Sequence, residues 1–253
     1  MILNQSRWPL APVTLAMSFA LTALGAPAAG PTPGSGTAAT GSSMKLRCLT
    51  PDEIHVTHGT VGRDSSGRLD IAAPVVRAVS TVGRARAAEL KFTLLGPTTA
   101  QVALRSGQLR RQFGLKLRAQ NGCNLVYAIW RLEPKTELVI SVKSNPGMRT
   151  NAECHTNGYQ NIKPARSAPL PVLRPGEPHR LRAVLAEQGD GLEVFVDDVS
   201  VWSGQLGPKV LEFDGPVGFR TDNVHLIADL CQAPVAAGTE SYTPPAGSEE
   251  GDD

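Results

Sequence analysis

RQFGLKLRAQNGCNLVYAIWRLEPKTELVISVK, residues 111–143, decides the fold of this chain. Its apolar side chains recur at every second position. Phe113, Leu115 and Leu117 alternate with Gly114, Lys116 and Arg118, and Leu138, Ile140 and Val142 alternate with Glu137, Val139, Ser141 and Lys143. Successive side chains of an extended backbone point to opposite faces, so this period makes a strand with one face on a core. Between them, CNLVYAIWRL (123–132) sets Cys123, Leu125, Tyr127, Ile129 and Arg131 against Asn124, Val126, Ala128, Trp130 and Leu132. Either of those two faces could be the open one. Asn121-Gly122 supplies a turn between the first two segments.

Working outward, the same short segments continue as ELKFTLLG (89–96), HRLRAVLAE (179–187), LEVFVDD (192–198), VSVWSG (199–204), PVGFRTDN (216–223) and VHLIADLC (224–231). Turn residues separate them: Asn145-Pro146-Gly147, Pro175-Gly176, Gly189-Asp190-Gly191 and Gly215-Pro216. After Leu24 there is no long amphipathic helix; Val75 to Val82 is the nearest helical candidate and reads equally as strand. Many strands and few helices mean a sandwich or a barrel. The stretch from Ser144 to Arg174 lacks sustained periodicity and reads as a long loop, a length that in compact domains usually carries function.

The ends differ from the body. Residues 1–28 hold one charge, Arg7, then the apolar run LAPVTLAMSFALTAL (10–24) and the small-residue exits Ala23-Leu24-Gly25 and Ala26-Pro27-Ala28. That is the pattern of a secretory signal peptide, so a secreted, periplasmic or cell-envelope address is expected, with no membrane span left after cleavage. Residues 29–43 are rich in Gly, Pro, Ser and Thr and read as a flexible linker; 44–234 form the folded domain; 235–253 are a polar, acidic tail. The formal net charge is +2, and because the tail holds Glu240, Glu249, Glu250, Asp252 and Asp253, the body is basic. A basic body suits acidic glycans or anionic surfaces. Its cations are spread out and not interleaved with aromatics, which argues against nucleic acid. The four cysteines, Cys48, Cys123, Cys154 and Cys231, form no Cys-x-x-Cys pair, and in an exported chain they favour two bridges, with three pairings open.

HRLRAVLAEQGDGLEVFVDDVSVW (179–202) followed by GPVGFRTDNVHLIADL (215–230) resembles the C-terminal half of the concanavalin A-like lectin/glucanase superfamily, in particular its laminin G-like and keto-disaccharide hydrolase-like branches. The resemblance covers roughly 87–231 and implies an all-β, two-sheet antiparallel jelly-roll sandwich whose first and last strands lie side by side. On that implication Cys48 pairs with Cys231, and Cys123 pairs with Cys154, which would pin the long loop onto the sheet. Each bridge is expected to contribute about 3–5 kcal/mol in the chain-entropy view.

Glycan-cleaving members of the superfamily carry paired carboxylates in a Glu-x-Asp-x-x-Glu run, and this chain has none. Nor does it show a Gly-x-Ser-x-Gly elbow, a P-loop or a dinucleotide fingerprint. His55-x-x-His58 has no third ligand at a recognised spacing, and no cofactor is expected; calcium, a feature of some branches, would have only Asp197, Asp198 and Asp222. The first reading is therefore a non-catalytic glycan- or surface-binding module, with a carbohydrate or cell-surface polymer as partner. A glycan-processing hydrolase and a structural envelope protein are the alternatives. Sugar sites combine aromatic faces with side chains that hydrogen-bond hydroxyls. The candidate ligand-binding residues are Arg118, Asn124, Tyr127, Trp130, Arg131 and Arg182 on strands, and Asn151, Glu153, His155, Asn157 and Tyr159 in the long loop.

Overall fold

A computed structural model describes residues 45–234. Short strands β1 (Arg47–Cys48), β2 (Ile54–His58), β3 (Gly62–Arg63) and β4 (Leu69–Ile71) lead into a 23-residue strand, β5 (Val75–Pro97). There follow β6 (Arg111–Asn121), β7 (Asn124–Glu133), β8 (Glu137–Lys143), a single helical turn α1 (Asn151–Cys154), β9 (Tyr159–Ile162) and β10 (Arg166–Ser167). The chain closes with β11 (Pro178–Leu185), β12 (Gly191–Val196), β13 (Val199–Gln205), β14 (Pro216–Asp222) and β15 (Val224–Pro234).

All the pairings are antiparallel, and they make two layers. The front sheet runs β2-β5-β14-β6-β7-β8-β9. The back sheet runs β10-β13-β12-β11-β5-β15, with β1 and β4 on the far side of β15 and β3 on β4. Strand β5 belongs to both: its first part pairs with β14 and β2, its second part with β11 and β15. It changes sheet near Gly83, whose φ of 85° is a conformation that costs a glycine little, and the register with β14 shifts there. The helical alternative for Val75–Val82 is thereby settled as strand; partners on both edges and β-branched residues outweigh any local helical preference.

The core lies between the layers. Phe113, Leu115, Val126, Ala128, Trp130, Ile140 and Phe219 of the front sheet meet Leu90, Phe92, Leu181, Val194, Trp202, Leu226 and Leu230 of the back sheet. At its centre Phe92, Phe113 and Trp130 form an aromatic cluster, with ring centroids 4.6 Å apart for the first two and 5.8 Å for the last two. Fully burying one such side chain stabilises the fold by about 1.5–3 kcal/mol. The β12–β13 hairpin turns on Asp197 and Asp198, both with positive φ (49° and 66°), the two-residue turn that matches the twist of paired strands.

First and last strands are neighbours, as expected: Cys48 stands opposite Cys231, and the two form a disulfide. The second bridge joins Cys123 to Cys154. The long connection is corrected in one respect. It is not loop throughout, because Tyr159–Ile162 adds strand β9 to the edge of the front sheet, with Asn161 opposite Ser141 and Tyr159 opposite Lys143, and Arg166–Ser167 adds β10 to the edge of the back sheet. Four residues are too few to show a period, and pairing with β8 makes the strand.

Candidate functional site

The strand register decides which side chains of the front sheet face away from the core. Across β14, β6, β7 and β8 one row reads Asp222, Gln112, Arg131, Glu137; the next reads Arg220, Gly114, Ile129, Val139; a third reads Gly218, Lys116, Tyr127, Ser141 and continues to Asn161 of β9. Arg77 of β5 joins Arg220 in the second row. The face is partly apolar, since Val79, Ala119, Leu125, Tyr127 and Ile129 form a second, smaller buried cluster there with Tyr159 packed on it.

Two loops rise over this face. One spans 98–110, fixed at its base by Asn223, whose side-chain amide donates to the carbonyls of Val102 and Arg110 at 2.8 Å each. The other contains α1 and is tied down by the Cys123–Cys154 bridge. The loops meet where Arg105 Nη1 lies 2.8 Å from His155 Nδ1. Between them is a cleft of about 330 Å³ lined by Leu104, Ser106, Arg110, Gln112, Tyr127, Ile129, Arg131, Val139, Ser141, Thr156, Tyr159, Asn161 and Arg220. A larger hollow, about 1010 Å³, opens at the edge of the sandwich where 164–175 crosses the core beside Trp130 and Trp202. Most of its walls are aliphatic or proline (Leu132, Leu138, Ile162, Pro169, Leu170, Leu173), the exposed margin of the core. Hydrogen-bonding groups converge in the smaller cleft, which is therefore the better candidate for a polar ligand.

The electrostatics of the cleft floor centre on Asp222. Its Oδ1 accepts from Arg77 Nη2 at 2.7 Å, and its Oδ2 accepts from Gln112 Nε2 at 2.7 Å and Arg220 Nε at 2.8 Å. Burial opposes ionisation of this carboxyl, but the Arg220 and Arg77 guanidiniums and the hydrogen bonds outweigh it and hold it well below the usual carboxylate range. Arg131 donates to Glu137. Tyr127 and Tyr159 lie nearly parallel, centroids 6.2 Å apart, with Arg220 over the Tyr127 ring at 5.5 Å and Lys143 Nζ 4.9 Å from the Tyr159 centroid.

Of the residues singled out from the sequence, Tyr127, Arg131 and Tyr159 line the cleft and His155 closes its rim. The remaining candidates do not line this cleft. Trp130 points the opposite way from Tyr127, into the core, and is wholly buried. Asn124 lies outside the cleft: its amide donates to Asn121 Oδ1 at 3.1 Å and to the Met148 carbonyl at 2.9 Å, and its oxygen accepts from Asn145 N. Arg118 leaves the row of Lys116 because the register slips between Leu117 and Asn121; its φ is 49°, and its Nε donates to the Phe213 carbonyl at 2.9 Å. Arg182 is on the outer face of the back sheet, against Phe195 and Asp198.

In the α1 loop, Asn151 is buried and accepts from Lys143 Nζ at 3.2 Å. Glu153 caps the helical turn, its carboxylate accepting from the Thr150 and Arg149 amides, which lower its pKa. Asn157 is exposed and offers its carbonyl to Asn145. Asp197 and Asp198 engage His179 and Arg180 at the back-sheet hairpin, whereas Asp222 lies in the front sheet, so these three acids do not converge. Among the described residues no three His, Cys, Asp or Glu side chains gather where they could hold a metal.

Sequence reading missed Arg110, Gln112, Arg220 and Ser141. The alternation of Gly218, Arg220 and Asp222 with Val217, Phe219 and Thr221 was a usable sign for Arg220; Arg110 stands at the end of an aperiodic loop and gave none.

No family model and no curated protein matches the chain. Solved structures do resemble it. A carbohydrate-binding module, CBM66, from Bacillus subtilis is 12% identical, with 70% of this chain and 91% of that chain covered and a TM-score of 0.46. Lectin II from Ulex europaeus is 10% identical, covering 76% of this chain and 99% of that one, with a TM-score of 0.43. The galectin LEC-6 of Caenorhabditis elegans is 12% identical, with 73% and 99% covered and a TM-score of 0.36. The chain is thus similar in its layered β-architecture to lectins and carbohydrate-binding modules, a likeness that carries no ligand with it.

Proposed function

We propose that this chain is an exported, non-catalytic carbohydrate-binding module whose ligand lies in the cleft above β6, β7, β8 and β14. The observation that carries the reading is the cleft itself: one face of the front sheet, walled by two loops, with Gln112, Ser141 and Asn161 offering side-chain hydrogen bonds around the Tyr127–Tyr159 pair. Sugars present hydroxyls and weakly apolar ring faces together, and a polar cleft floored by aromatic edges matches both. Export is supported by the leader-like first 28 residues and by two disulfides with no free cysteine among the described residues. The hydrolase alternative is disfavoured by the carboxylates near the cleft: Asp222 is engaged by two arginines and Gln112, and Glu137 by Arg131, so neither is placed to act on a glycosidic bond.

The test is a glycan array followed by affinity electrophoresis with soluble polysaccharides. Tyr159→Phe and Asn161→Ala should each weaken retention while leaving the melting temperature near that of the parent. Failure to bind any polysaccharide would defeat the reading, and release of reducing ends from a bound polymer would replace it with the enzymatic one.

A further inference from the structure

Resting on the assignment of the cleft to a glycan, we propose that the glycan is acidic, carrying carboxylate or sulfate groups that Arg110, Arg131 and Arg220 receive. Three independent features of the cleft point that way.

The first is its charge. The lining includes these three arginines and no acid. Of the two carboxylates just beyond the lining, Asp222 is shared between Arg220 and Arg77, and Glu137 is taken by Arg131. Four guanidiniums therefore face two carboxylates, and Lys116 and Lys143 stand on the same face of the sheet. Arg110 has no carboxylate of its own. Its hydrogen bonds go to the neutral side chain of Gln108, with Nε at 3.0 Å, and it makes no ion pair among the described residues. Burial, together with repulsion from Arg131 and Arg220, pushes its pKa below the ordinary guanidinium value. Like charges gathered where water is partly excluded repel one another strongly, and a bound anion relieves that repulsion.

The second is an unmet donor. Arg131 Nε is buried and has no hydrogen-bond partner, although the same guanidinium already serves Glu137. Buried donors of this kind are uncommon, and each calls for a partner such as an ion or water. A planar guanidinium fork matches the paired oxygens of a carboxylate or a sulfate.

The third is the company the aromatics keep. The buried cations Arg220 and Lys143 lie 5.5 Å and 4.9 Å from the Tyr127 and Tyr159 ring centroids, so both aromatic residues of the cleft are backed by positive charge.

The experiment compares matched polymers by affinity electrophoresis with the full chain: polygalacturonate against its fully methyl-esterified form, and dextran sulfate against dextran. Retention by the acidic member of either pair and not by its neutral counterpart is the expected result; the first pair reports carboxylate, the second sulfate. Arg110→Ala should lower affinity about tenfold, the loss of one charge-assisted contact, and Arg110→Lys should recover part of it. The fold should tolerate both changes, because the backbone carbonyl of Arg110, not its side chain, is what Asn223 holds. Arg166→Ala, an exposed arginine on the back sheet, is the control and should change nothing. Equal retention by neutral and acidic polymers would overturn the acidic assignment and leave the glycan assignment standing. Equal loss from Arg110→Ala and Arg166→Ala would also overturn it, by revealing diffuse charge attraction. No retention by any polymer would overturn both.

Discussion

Replacing Asp222 with alanine should cost about 3–5 kcal/mol of folding stability. Asp222 is fully buried and accepts three hydrogen bonds, two of them from Arg77 and Arg220, themselves almost wholly buried. Those two arginines are cross-strand neighbours between β5 and β14. Without the carboxylate they are two buried positive charges with no counter-ion between them, and removing one partner of a buried ionic group carries a penalty of that size. A domain of this kind has roughly 5–15 kcal/mol in total, so the variant would be severely weakened.

Urea denaturation followed by fluorescence of the buried Trp130 and Trp202 measures the loss. The pH dependence supplies an independent check. The Asp222 carboxyl is held below its unfolded value, so its contribution is complete above about pH 4 and fades as pH falls below that point. The parent should therefore lose stability on acidification below about pH 4, and Asp222→Asn, which keeps the shape without the charge, should lose less over the same range. The Arg47–Glu53 pair titrates in the same direction, with Glu53 lowered to about 2 by its hydrogen bond from Arg47, but it is largely exposed and contributes little. A loss under about 1 kcal/mol for Asp222→Ala, with an unchanged urea slope, would refute the view that this carboxylate neutralises the arginines of the cleft floor.

Three further outcomes are expected. Cys154→Ser opens the bridge whose ends lie 31 residues apart; the loop-entropy estimate is a loss of about 4 kcal/mol, and proteolysis between Ser144 and Tyr159 should accelerate, both measurable on purified protein. Trp130→Ala should cost about 3–5 kcal/mol by urea denaturation, since it empties the core beside Phe92 and Phe113, and any loss of glycan binding should track unfolding. Gly114→Ala should lower the melting temperature sharply, because a Cβ built there would lie 2.1 Å from the Ala128 carbonyl oxygen of the adjacent strand; an unchanged melting temperature would show that β6 and β7 can separate freely.

The site was partly legible in sequence, and the reason is geometric. Alternation in β7 separated Tyr127 and Arg131 from Asn124 and Trp130 but could not say which set faces the core, because both sets are largely apolar. Packing decides it: the large Trp130 ring fills the space beside Phe113 and Phe92, and that sends Tyr127 outward. Arg118 shows the complementary failure, since a local slip in strand pairing rotates it out of a row that strict alternation had given it. Arg182 is a third case. It alternates correctly within its own strand, yet that strand belongs to the other sheet.

What the order of residues determined by itself is the class of structure: period-two apolar patterning, separated by Gly, Pro and Asn turns, can bury its greasy faces only as layered antiparallel sheet. The resemblance of its C-terminal half added the meeting of first and last strands, and with it the pairing of Cys48 with Cys231. Tertiary structure alone decided the cleft. Arg77, Arg110, Arg131 and Arg220 come from four separate segments, and a charge cluster assembled across neighbouring strands and a loop leaves no local trace in any of them.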